Sequence, residues 1–366
     1  MRPRLLVPLA ILSVCFAGEA FAQYNPSAGK NAPMDKVERE VRALDGTLHS
    51  ETVEQRPDSD RFGNAVGNTH DLAIDGAFEG QTVAVIQLYT IDFDFHLPKA
   101  ALKEKGFSTY RWINKPPSPE ELEKGLEKAS QLWLISGETR QLTPEHLKVI
   151  KKFWEAGHGI YIWGDNQPYY ADANYVAEAL FGTTMLGDVP GAQVVGVQKA
   201  AGMPGLMPNH LLTTGLENIY EGITIATIQS SKTLTPLIYG SAGNLVAAYY
   251  DHDGRRAILD GGFTRLYMGW DTAGTPRYVK NAAAWLVNAE RFGDAVVNPA
   301  IKSKSMKPVT VIPSVVPSEA PPTPSVTVAP APMAPTSGFL SLKLLALLLG
   351  GMISCFLLLY IVPNRE

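Results

Sequence analysis

The alternation of strand-like and helix-like segments between residues 82 and 182 is the feature that most restricts the fold of this chain. Short apolar runs, the first being residues 82–89 (TVAVIQLY), alternate with amphipathic stretches of helical period that end at glycines. Ser118-Pro119-Glu120-Glu121 is a clear helix start, with a capping serine, a proline in the first turn and a glutamate three residues after the cap. This βαβαβαβα order predicts an α/β fold with a mainly parallel sheet flanked by helices.

The pattern changes to that of an antiparallel hairpin in the last third of this region. Residues 245–250 and 256–260 flank the turn sequence Asp251-His252-Asp253-Gly254, and Thr275-Pro276 begins a last helix. The sheet is therefore expected to carry an antiparallel hairpin at its margin. The predicted strands before it are residues 82–89, 108–113, 132–136 and 159–163, and the helices between them include residues 97–105 and 171–181.

Two apolar segments at the ends of the chain predict export and anchoring. Residues 5–18 follow Arg2 and Arg4, and Ala20-Phe21-Ala22 places small residues two apart before Gln23, which is typical of a cleaved signal peptide. Residues 344–362 are nineteen residues without a charge, enough at about 1.5 Å per residue to cross a hydrocarbon core of about 30 Å. An uncleaved N-terminal anchor, a lipoprotein modified at Cys15 and a lipid anchor replacing the C-terminal tail are the alternatives.

Composition divides the chain into six segments and limits its partners. The only cysteines, Cys15 and Cys355, lie in the two apolar ends, so the segment between them can form no disulfide, which suits a bacterial periplasm. The net charge of -4 argues against nucleic acid as a partner. The predicted segments are a signal peptide (1–22), a polar and partly disordered arm with a possible short helix near residues 35–44 (23–79), an α/β domain with all six tryptophans (80–294), a proline-rich spacer (295–338), a transmembrane helix (339–362) and a short tail (363–366).

The loops after the predicted strands are where a ligand site is expected. In open parallel sheets, ligands bind beyond the carboxyl ends of the strands, near the point where the strand order reverses. Polar and aromatic residues are frequent in these loops and just beyond the last strand. The candidate site residues are Asp92, Asp94, Glu138, Asp165, Asn166, Tyr169, Asp172, Asn174, Thr264, Arg265 and Arg277.

Two stretches of the chain resemble a known fold family. Residues 132–174 (with LWLISG and LTPEHLKVIKKFWEAGHGIYIWGDN) and 257–286 (AILDGGFTRLYMGWDTAGTPRYVKNAAAWL) are similar to the class I glutamine amidotransferase-like fold, in its uncharacterised, membrane-anchored extracytoplasmic branch. The resemblance covers about residues 80–292 and implies a flavodoxin-like sheet. In catalytic members a cysteine follows a central strand, and a histidine and a glutamate follow a late one. Here Asp165 stands at the nucleophile's expected position and residues 262–265 contain no histidine, which implies that this chain does not carry out amidotransfer.

The candidate carboxylates leave two chemical alternatives open. Asp92, Asp94, Glu138 and Asp165 could gather around a hard cation such as calcium, which prefers oxygen ligands, or could be solvated and cap helices. Asp165 is the best-placed general acid or base for a hydrolytic reaction. Likewise Asp172 and Asn174 either contact a ligand or cap the helix that follows, and Arg265 and Arg277 either bind substrate or pair with aspartates such as Asp165 and Asp260.

These observations predict a membrane-tethered binding or scaffolding domain that works outside the cytoplasm. Its ligand is expected to be a protein, a peptide or a glycan, and the calcium-like cation is the only cofactor that the sequence suggests. The sequence contains no Gly-x-Ser-x-Gly, His-Glu-x-x-His or phosphate-binding glycine motif. The alternative is a carboxylate-dependent hydrolase acting at a cleft around Asp165.

Overall fold

The computed structural model describes residues 23–302, in which an eight-stranded sheet carries helices on both faces. The first half of the chain contains β1 (Asp35–Arg42), β2 (Leu48–Gln55), β3 (Thr82–Gln87), α1 (His96–Glu104), β4 (Ser108–Ile113), α2 (Pro119–Leu126), β5 (Gln131–Ile135), α3 (Pro144–Glu155), β6 (Gly159–Trp163) and α4 (Ala171–Phe181). The second half contains β7 (Met185–Pro190), β8 (Val194–Gly196), β9 (Gly205–Leu206), β10 (Asn218–Tyr220), β11 (Thr224–Ile228), β12 (Thr235–Tyr239), β13 (Leu245–His252), β14 (Arg255–Asp260), α5 (Thr275–Leu286), α6 (Ala289–Phe292) and α7 (Pro299–Lys302).

The large sheet has the strand order β4-β3-β5-β6-β14-β13-β12-β9. The first five strands are parallel, and β13, β12 and β9 continue the sheet with antiparallel pairs. Counted along the chain, the five parallel strands have the order of flavodoxin-like sheets, with the reversal between β3 and β5. The predicted α/β class, with its helix-flanked parallel strands and antiparallel hairpin margin, is confirmed.

The ends of four parallel strands are level with one another. Gln87 pairs with Ile135, Ile135 with Trp163, and Trp163 with Asp260. The loops that follow β3, β5, β6 and β14 therefore leave the sheet at one edge. This register brings most of the sequence-predicted site residues to the same side of the molecule.

Two hydrophobic layers hold the helices against the sheet. Trp133 and Tyr161 face a layer with α1 and α5, whereas their strand neighbours Leu132 and Ile160 face a layer with α2, α3 and α4. Because both faces of β5 and β6 are covered, these strands are apolar or aromatic apart from Gln131, as expected for the centre of a parallel sheet.

Residues 35–42 form a strand, which corrects the prediction of a short helix near residues 35–44. β1 pairs antiparallel with β2, and Val37 faces Val53 across the pair. The turn contains Asp45-Gly46, a dipeptide that favours hairpins, and Gly46 has φ 87°. The charged residues of β1 suit a helix in isolation, but the hairpin supplies backbone partners that local propensity does not foresee.

Other parts of the predicted arm pack into the domain. Tyr24, Leu72 and Phe78 are buried in the layer that contains α1 and α5. Within residues 23–302, no helix combines the length and apolar character needed to span a bilayer. The predicted signal peptide, most of the spacer and the transmembrane helix lie outside the residues that the structure describes.

Candidate functional site

Several of the predicted site residues at the carboxyl edge of the sheet lie in two separate groups. One, which we call the sealed centre, lies at the ends of β6 and β14 and consists of the buried Asp165, Asp260 and Arg265 with the half-buried Thr264. The other, which we call the open groove, is a surface cavity of about 530 Å³ at the ends of β3 and β4. The groove is lined by Gln87, Thr90, Asp92, Phe93, Asp94, Arg111 and Ile113.

Asp165 joins the loop after β6 to the loop after β14. Its side chain is fully buried; Oδ1 accepts a hydrogen bond from the Asn166 N–H at 3.0 Å and Oδ2 accepts one from the Thr264 N–H at 3.1 Å. Burial raises the pKa of the Asp165 carboxyl to about 8, although the two N–H groups and the nearby Arg265 oppose this shift. Asp165 therefore links the two loops, with no surface exposed to a substrate.

Asp260 and Arg265 form a fully buried ion pair at 2.7 Å. Arg265 also donates to the carbonyl oxygens of Gly262 and Glu221, both at 3.0 Å. Burial opposes the charge of Arg265, but the attraction of Asp260 raises its pKa, so the guanidinium stays charged. Of the two roles considered for Arg265, pairing with an aspartate is the one that the structure shows.

Two tyrosine hydroxyls complete the surroundings of Asp260. The hydroxyls of Tyr161 and Tyr278 donate to Oδ2 of Asp260 at 3.3 and 3.1 Å, and all three residues are fully buried. The Nη1 atom of Arg265 is a buried nitrogen without a hydrogen-bond partner among the described residues. The sealed centre is thus a polar network inside the fold, in which each carboxylate is bonded to main-chain or side-chain donors.

An aromatic cluster lies between the sealed centre and the open groove. The ring of Tyr89 packs against Phe263 at 4.7 Å and against Tyr169 at 5.2 Å between centroids. The Tyr267 hydroxyl donates to the Tyr89 hydroxyl at 3.0 Å, and its ring stacks on Phe93 at 4.8 Å. Burial and the hydrogen bond to Tyr89 raise the pKa of Tyr267, so the Tyr267 phenol is neutral.

The point of strand reversal between β3 and β5 is closely packed. A Cβ atom placed on Gly137 would lie 3.3 Å from both the Cβ and the carbonyl oxygen of Leu88. Leu88 also continues the sheet by donating its N–H to the Ile135 carbonyl at 2.9 Å. The cavity of the open groove lies one strand further along, between the ends of β3 and β4.

Asp172 and Asn174 bind the main chain of neighbouring loops. Oδ1 of Asp172 accepts from the N–H groups of Gln141 and Leu142 at 2.9 and 2.8 Å. Asn174 exchanges two hydrogen bonds with the main chain of Met185. The cap expected of these residues is supplied instead by Ser136, whose Oγ accepts from the first N–H groups of α4 at 3.0 and 3.1 Å.

The remaining candidates lie apart from one another. Arg277 is buried on α5, where it pairs with Asp71 at 2.8 Å and donates to the Gly215 and Gly67 carbonyls. Glu138 is exposed after β5, and the Asn166 amide donates to the Gln167 carbonyl at 3.1 Å. The partner of Arg277 is thus an aspartate of the arm.

The loop that borders the open groove is held in a strained conformation. Asp92 has φ 55° and Phe95 has φ 67°, a left-handed conformation that is unfavourable for a bulky side chain. The buried Gln87 fixes the loop by donating from Nε2 to the carbonyls of Tyr89 and Phe93 at 3.1 and 2.8 Å. Backbone strain of this kind persists where the surrounding structure enforces it, frequently at ligand sites.

The open groove has a cationic floor and an acidic rim. Arg111 donates to Oε1 of Gln87 at 2.7 Å, and its guanidinium lies 5.3 Å from the centre of the Phe95 ring. Asp92 and Asp94 are exposed at the rim. Hydrogen bonds from the main chain and the ring of His96 lower the pKa of Asp94, so its carboxylate is ionised at neutral pH.

The carboxylates considered for a cation site do not assemble into one group. Across residues 23–302, the structure brings no three His, Cys, Asp or Glu side chains into an arrangement that could hold a metal ion. Asp92 and Asp94 lie at the groove, whereas Asp165 is buried and bonded to main-chain N–H groups. The calcium-like cation therefore stays a prediction without a three-ligand site in this part of the chain.

Comparisons with known proteins give partial structural similarities only. No family model and no curated protein matches this chain. Three solved structures are similar to parts of it: the exo-β-1,4-mannosidase Op5Man5 from Opitutaceae bacterium strain TAV5 (11% identity, TM-score 0.34, 57% of this chain and 36% of that chain), a putative ThuA-like protein from Parabacteroides merdae ATCC 43184 (10%, 0.36, 57% and 90%) and Agd3, a carbohydrate deacetylase (16%, 0.34, 58% and 32%). The chain spans about a third of the mannosidase and of the deacetylase. At these TM-scores, the amidotransferase-like resemblance stays a prediction.

Sequence reasoning missed Gln87 and Arg111, which support the groove. Each is a polar residue near the carboxyl end of its strand, next to apolar or aromatic neighbours, in TVAVIQ and STYRWI. Because β3 and β4 pair with Val85 opposite Arg111 and Gln87 opposite Ile113, the two polar side chains lie on the same face of the sheet. Polar residues placed in this way near the ends of adjacent strands are the pattern that could have revealed the groove.

Proposed function

We propose that this protein is a membrane-tethered, extracytoplasmic binding domain whose ligand occupies the open groove. The observation that carries the proposal is the strained loop between β3 and α1. Phe95 and Asp92 hold left-handed conformations there, and Gln87 and Arg111 brace the loop from the sheet. A loop held in this way presents its exposed carboxylates in a fixed position, which reduces the entropy lost on binding.

The charges of the groove favour a ligand with hydroxyl or amino groups. The exposed carboxylates of Asp92 and Asp94 accept hydrogen bonds and attract cationic groups, and Arg111 below them can donate to a carbonyl or hydroxyl oxygen. Protein, peptide and glycan ligands all offer such groups. The ligand is thus expected to bind through polar contacts at the rim and to leave the sealed centre untouched.

A tether would hold this surface at a distance from the membrane. Removal of residues 1–22 and anchoring through residues 339–362 would leave the domain outside the cytoplasm. The start of the predicted spacer belongs to the domain, because Val296 and Val297 are buried and residues 299–302 form α7. The remaining proline-rich residues, 303–338, would reach on the order of 100 Å if they were extended at about 3.1 Å per residue. This arrangement suits a protein that presents a binding surface.

Hydrolysis at Asp165 is the second candidate, and one observation favours it. The pKa of Asp165, raised by burial to about 8, falls in the range that suits a general acid or base near neutral pH. A general base must, however, reach a water molecule or the substrate, and both oxygens of the buried Asp165 side chain accept main-chain hydrogen bonds. The geometry therefore supports binding at the groove more strongly.

Binding can be tested with a purified fragment of residues 23–338 on glycan and peptide arrays. We expect a ligand whose affinity falls at least about tenfold, or 1.4 kcal/mol, when Asp92→Asn and Asp94→Asn are combined. Glu38→Gln with Glu40→Gln is the matched control, because it removes the same charge from exposed positions of β1. Equal affinity of the groove variant and the unmodified fragment would contradict the proposal.

The hydrolase candidate needs a separate measurement on the same fragment. A screen of ester, amide and glycoside substrates is run with the unmodified fragment and with Asp165→Asn. A hydrolytic activity that disappears in Asp165→Asn, with its circular dichroism spectrum unchanged, would replace the binding proposal by hydrolysis.

A further inference from the structure

The first described residues of the chain are held in the fold by main-chain hydrogen bonds. The Gln23 carbonyl accepts from the Ile74 N–H at 3.1 Å, and the Asn25 N–H donates to the Leu72 carbonyl at 2.9 Å. Between them, Tyr24 forms an antiparallel bridge with Ala73. Residues 23–25 thus run antiparallel to residues 72–74 through one isolated β-bridge.

Gln23 is buried with an unused hydrogen-bond donor. Its side chain is only 1% exposed, and its Nε2 atom has no hydrogen-bond partner among residues 23–302. A buried primary amide that donates no hydrogen bond is unfavourable, because in water both of its N–H bonds are satisfied.

The predicted cleavage after Ala22 would place a second polar group at the same position. Removal of residues 1–22 makes the nitrogen of Gln23 an α-amino group, and a charged amine without a partner is unfavourable in a buried position. Such a group has a pKa of about 7.7–8.0. Near neutral pH a substantial fraction is therefore the uncharged, nucleophilic amine.

We infer that the mature chain begins with a pyroglutamyl residue formed from Gln23. The α-amino nitrogen attacks Cδ of the same residue, an N–Cδ bond forms, and the Cδ–Nε2 bond breaks. Nε2 leaves as ammonia and takes up the proton that the α-amine loses. The reaction closes a five-membered lactam, needs no oxidant or co-reactant, and removes both the terminal charge and the unpartnered amide nitrogen.

This modification goes beyond ligand binding, although it rests on the same predicted export. Gln23 pairs with the segment at residue 74, whereas the groove is built from the ends of β3 and β4. Loss of the modification is therefore expected to leave ligand binding unchanged, so that the outcomes of the two tests can be distinguished.

The test is mass spectrometry of the N-terminal peptide from the full chain, expressed in an exporting bacterium and purified from its membrane. We expect a peptide that begins at residue 23, is lighter by one ammonia and resists Edman degradation. A free amine on Gln23, or a chain that begins at any other residue, would overturn the inference.

A paired variant distinguishes cyclisation in the protein from ammonia loss during sample handling. Gln23→Asn keeps a primary amide but cannot close the five-membered ring, so we expect a free amine and a melting temperature lower by a few degrees. Gln193→Asn, at an exposed position, is the matched control and should leave both readouts unchanged. If Gln23→Asn and the unmodified chain have the same melting temperature, the lactam does not stabilise the buried terminus. That part of the inference would then be wrong.

Discussion

The sealed centre and the open groove place aspartates at the same edge of one sheet, yet the two regions use them in opposite ways. In the sealed centre, Asp165 and Asp260 are fully buried and bonded to main-chain N–H groups, an arginine and two tyrosines. At the groove, Asp92 and Asp94 are exposed, and the strain lies in the backbone that carries them. The position of a carboxylate at the end of a parallel strand therefore does not reveal its role. That role depends on the hydrogen-bond donors around the carboxylate.

The two regions also differ in how strongly they stabilise the folded protein. A buried ion pair that loses one partner leaves an uncompensated charge in a medium of low dielectric constant. An exposed carboxylate loses little, because water solvates whatever remains. Large effects on unfolding are thus expected at the sealed centre, and large effects on binding at the groove.

The largest expected effect comes from Asp260→Asn. This change leaves the buried guanidinium of Arg265 without its partner at 2.7 Å. The free energy of unfolding of the 23–338 fragment should fall by about 3–5 kcal/mol, measured by urea denaturation.

Tyr278→Phe provides the control for the Asp260 prediction. It removes one hydrogen bond to the same carboxylate, at 3.1 Å, and keeps both charges. We expect a loss of about 1 kcal/mol. If Asp260→Asn lost no more than Tyr278→Phe, the ion pair would not be the dominant interaction of the sealed centre.

The next effect is a pH dependence of the free energy of unfolding that arises from Asp165. Its pKa is about 8 in the folded protein and 3.8 ordinarily, so between these values the folded state binds more protons than the unfolded state. The stabilisation that the protonated Asp165 side chain contributes is therefore fully present below about pH 4 and is lost as the pH rises towards 8. We expect the free energy of unfolding to fall by at least about 1.4 kcal/mol across this window, the equivalent of one pKa unit.

Asp165→Asn identifies the group that is responsible for this slope. The substituted amide does not titrate, so the fall in stability between pH 5 and pH 8 should become smaller in urea denaturation at several pH values. An unchanged slope in Asp165→Asn would assign the pH dependence to other groups and would show that Asp165 is ionised throughout.

The fold was predictable from the sequence because its main signs are local. Ser118 forms the expected capping box with Glu121, and Ser108–Ile113 and Gly159–Trp163 are strands with the predicted bounds. Strand and helix periods extend over a few residues, and the short loops between them leave few arrangements. The hairpin of β1 and β2 was missed, although Asp45-Gly46 indicates it.

The roles of the site residues depend on partners that are distant in the sequence. Asp172 binds the main chain of Gln141 and Leu142, 31 and 30 residues away, and Arg277 binds Asp71, 206 residues away. Nothing near Asp172 or Arg277 in the sequence indicates these contacts. Candidate residues could therefore be found by their position after strands, but a ligand-binding residue could not be distinguished from one that links two loops.

A smaller effect is expected from relieving the strain of the groove loop. Glycine at position 92 adopts the φ of 55° without hindrance, whereas alanine keeps the steric conflict of its Cβ atom. Asp92→Gly should be more stable than Asp92→Ala by about 1 kcal/mol in urea denaturation. Equal stability of the two variants would mean that the loop relaxes when the aspartate is removed, and the strain would then no longer support a preformed groove.

The smallest effect on stability is expected from Asp94→Asn. Asp94 has 74% of its side chain exposed, so Asp94→Asn should leave the melting temperature of the 23–338 fragment unchanged, because a surface substitution away from the core removes little. The same variant should weaken ligand binding at the groove, measured by calorimetry with a ligand found on the arrays. Asp260→Asn should show the opposite combination at temperatures where it is folded, with lower stability and unchanged affinity. If Asp94→Asn destabilised the fold and left binding intact, the Asp94 carboxylate would have a structural role like that of Asp172, and the acidic rim would not be a binding surface.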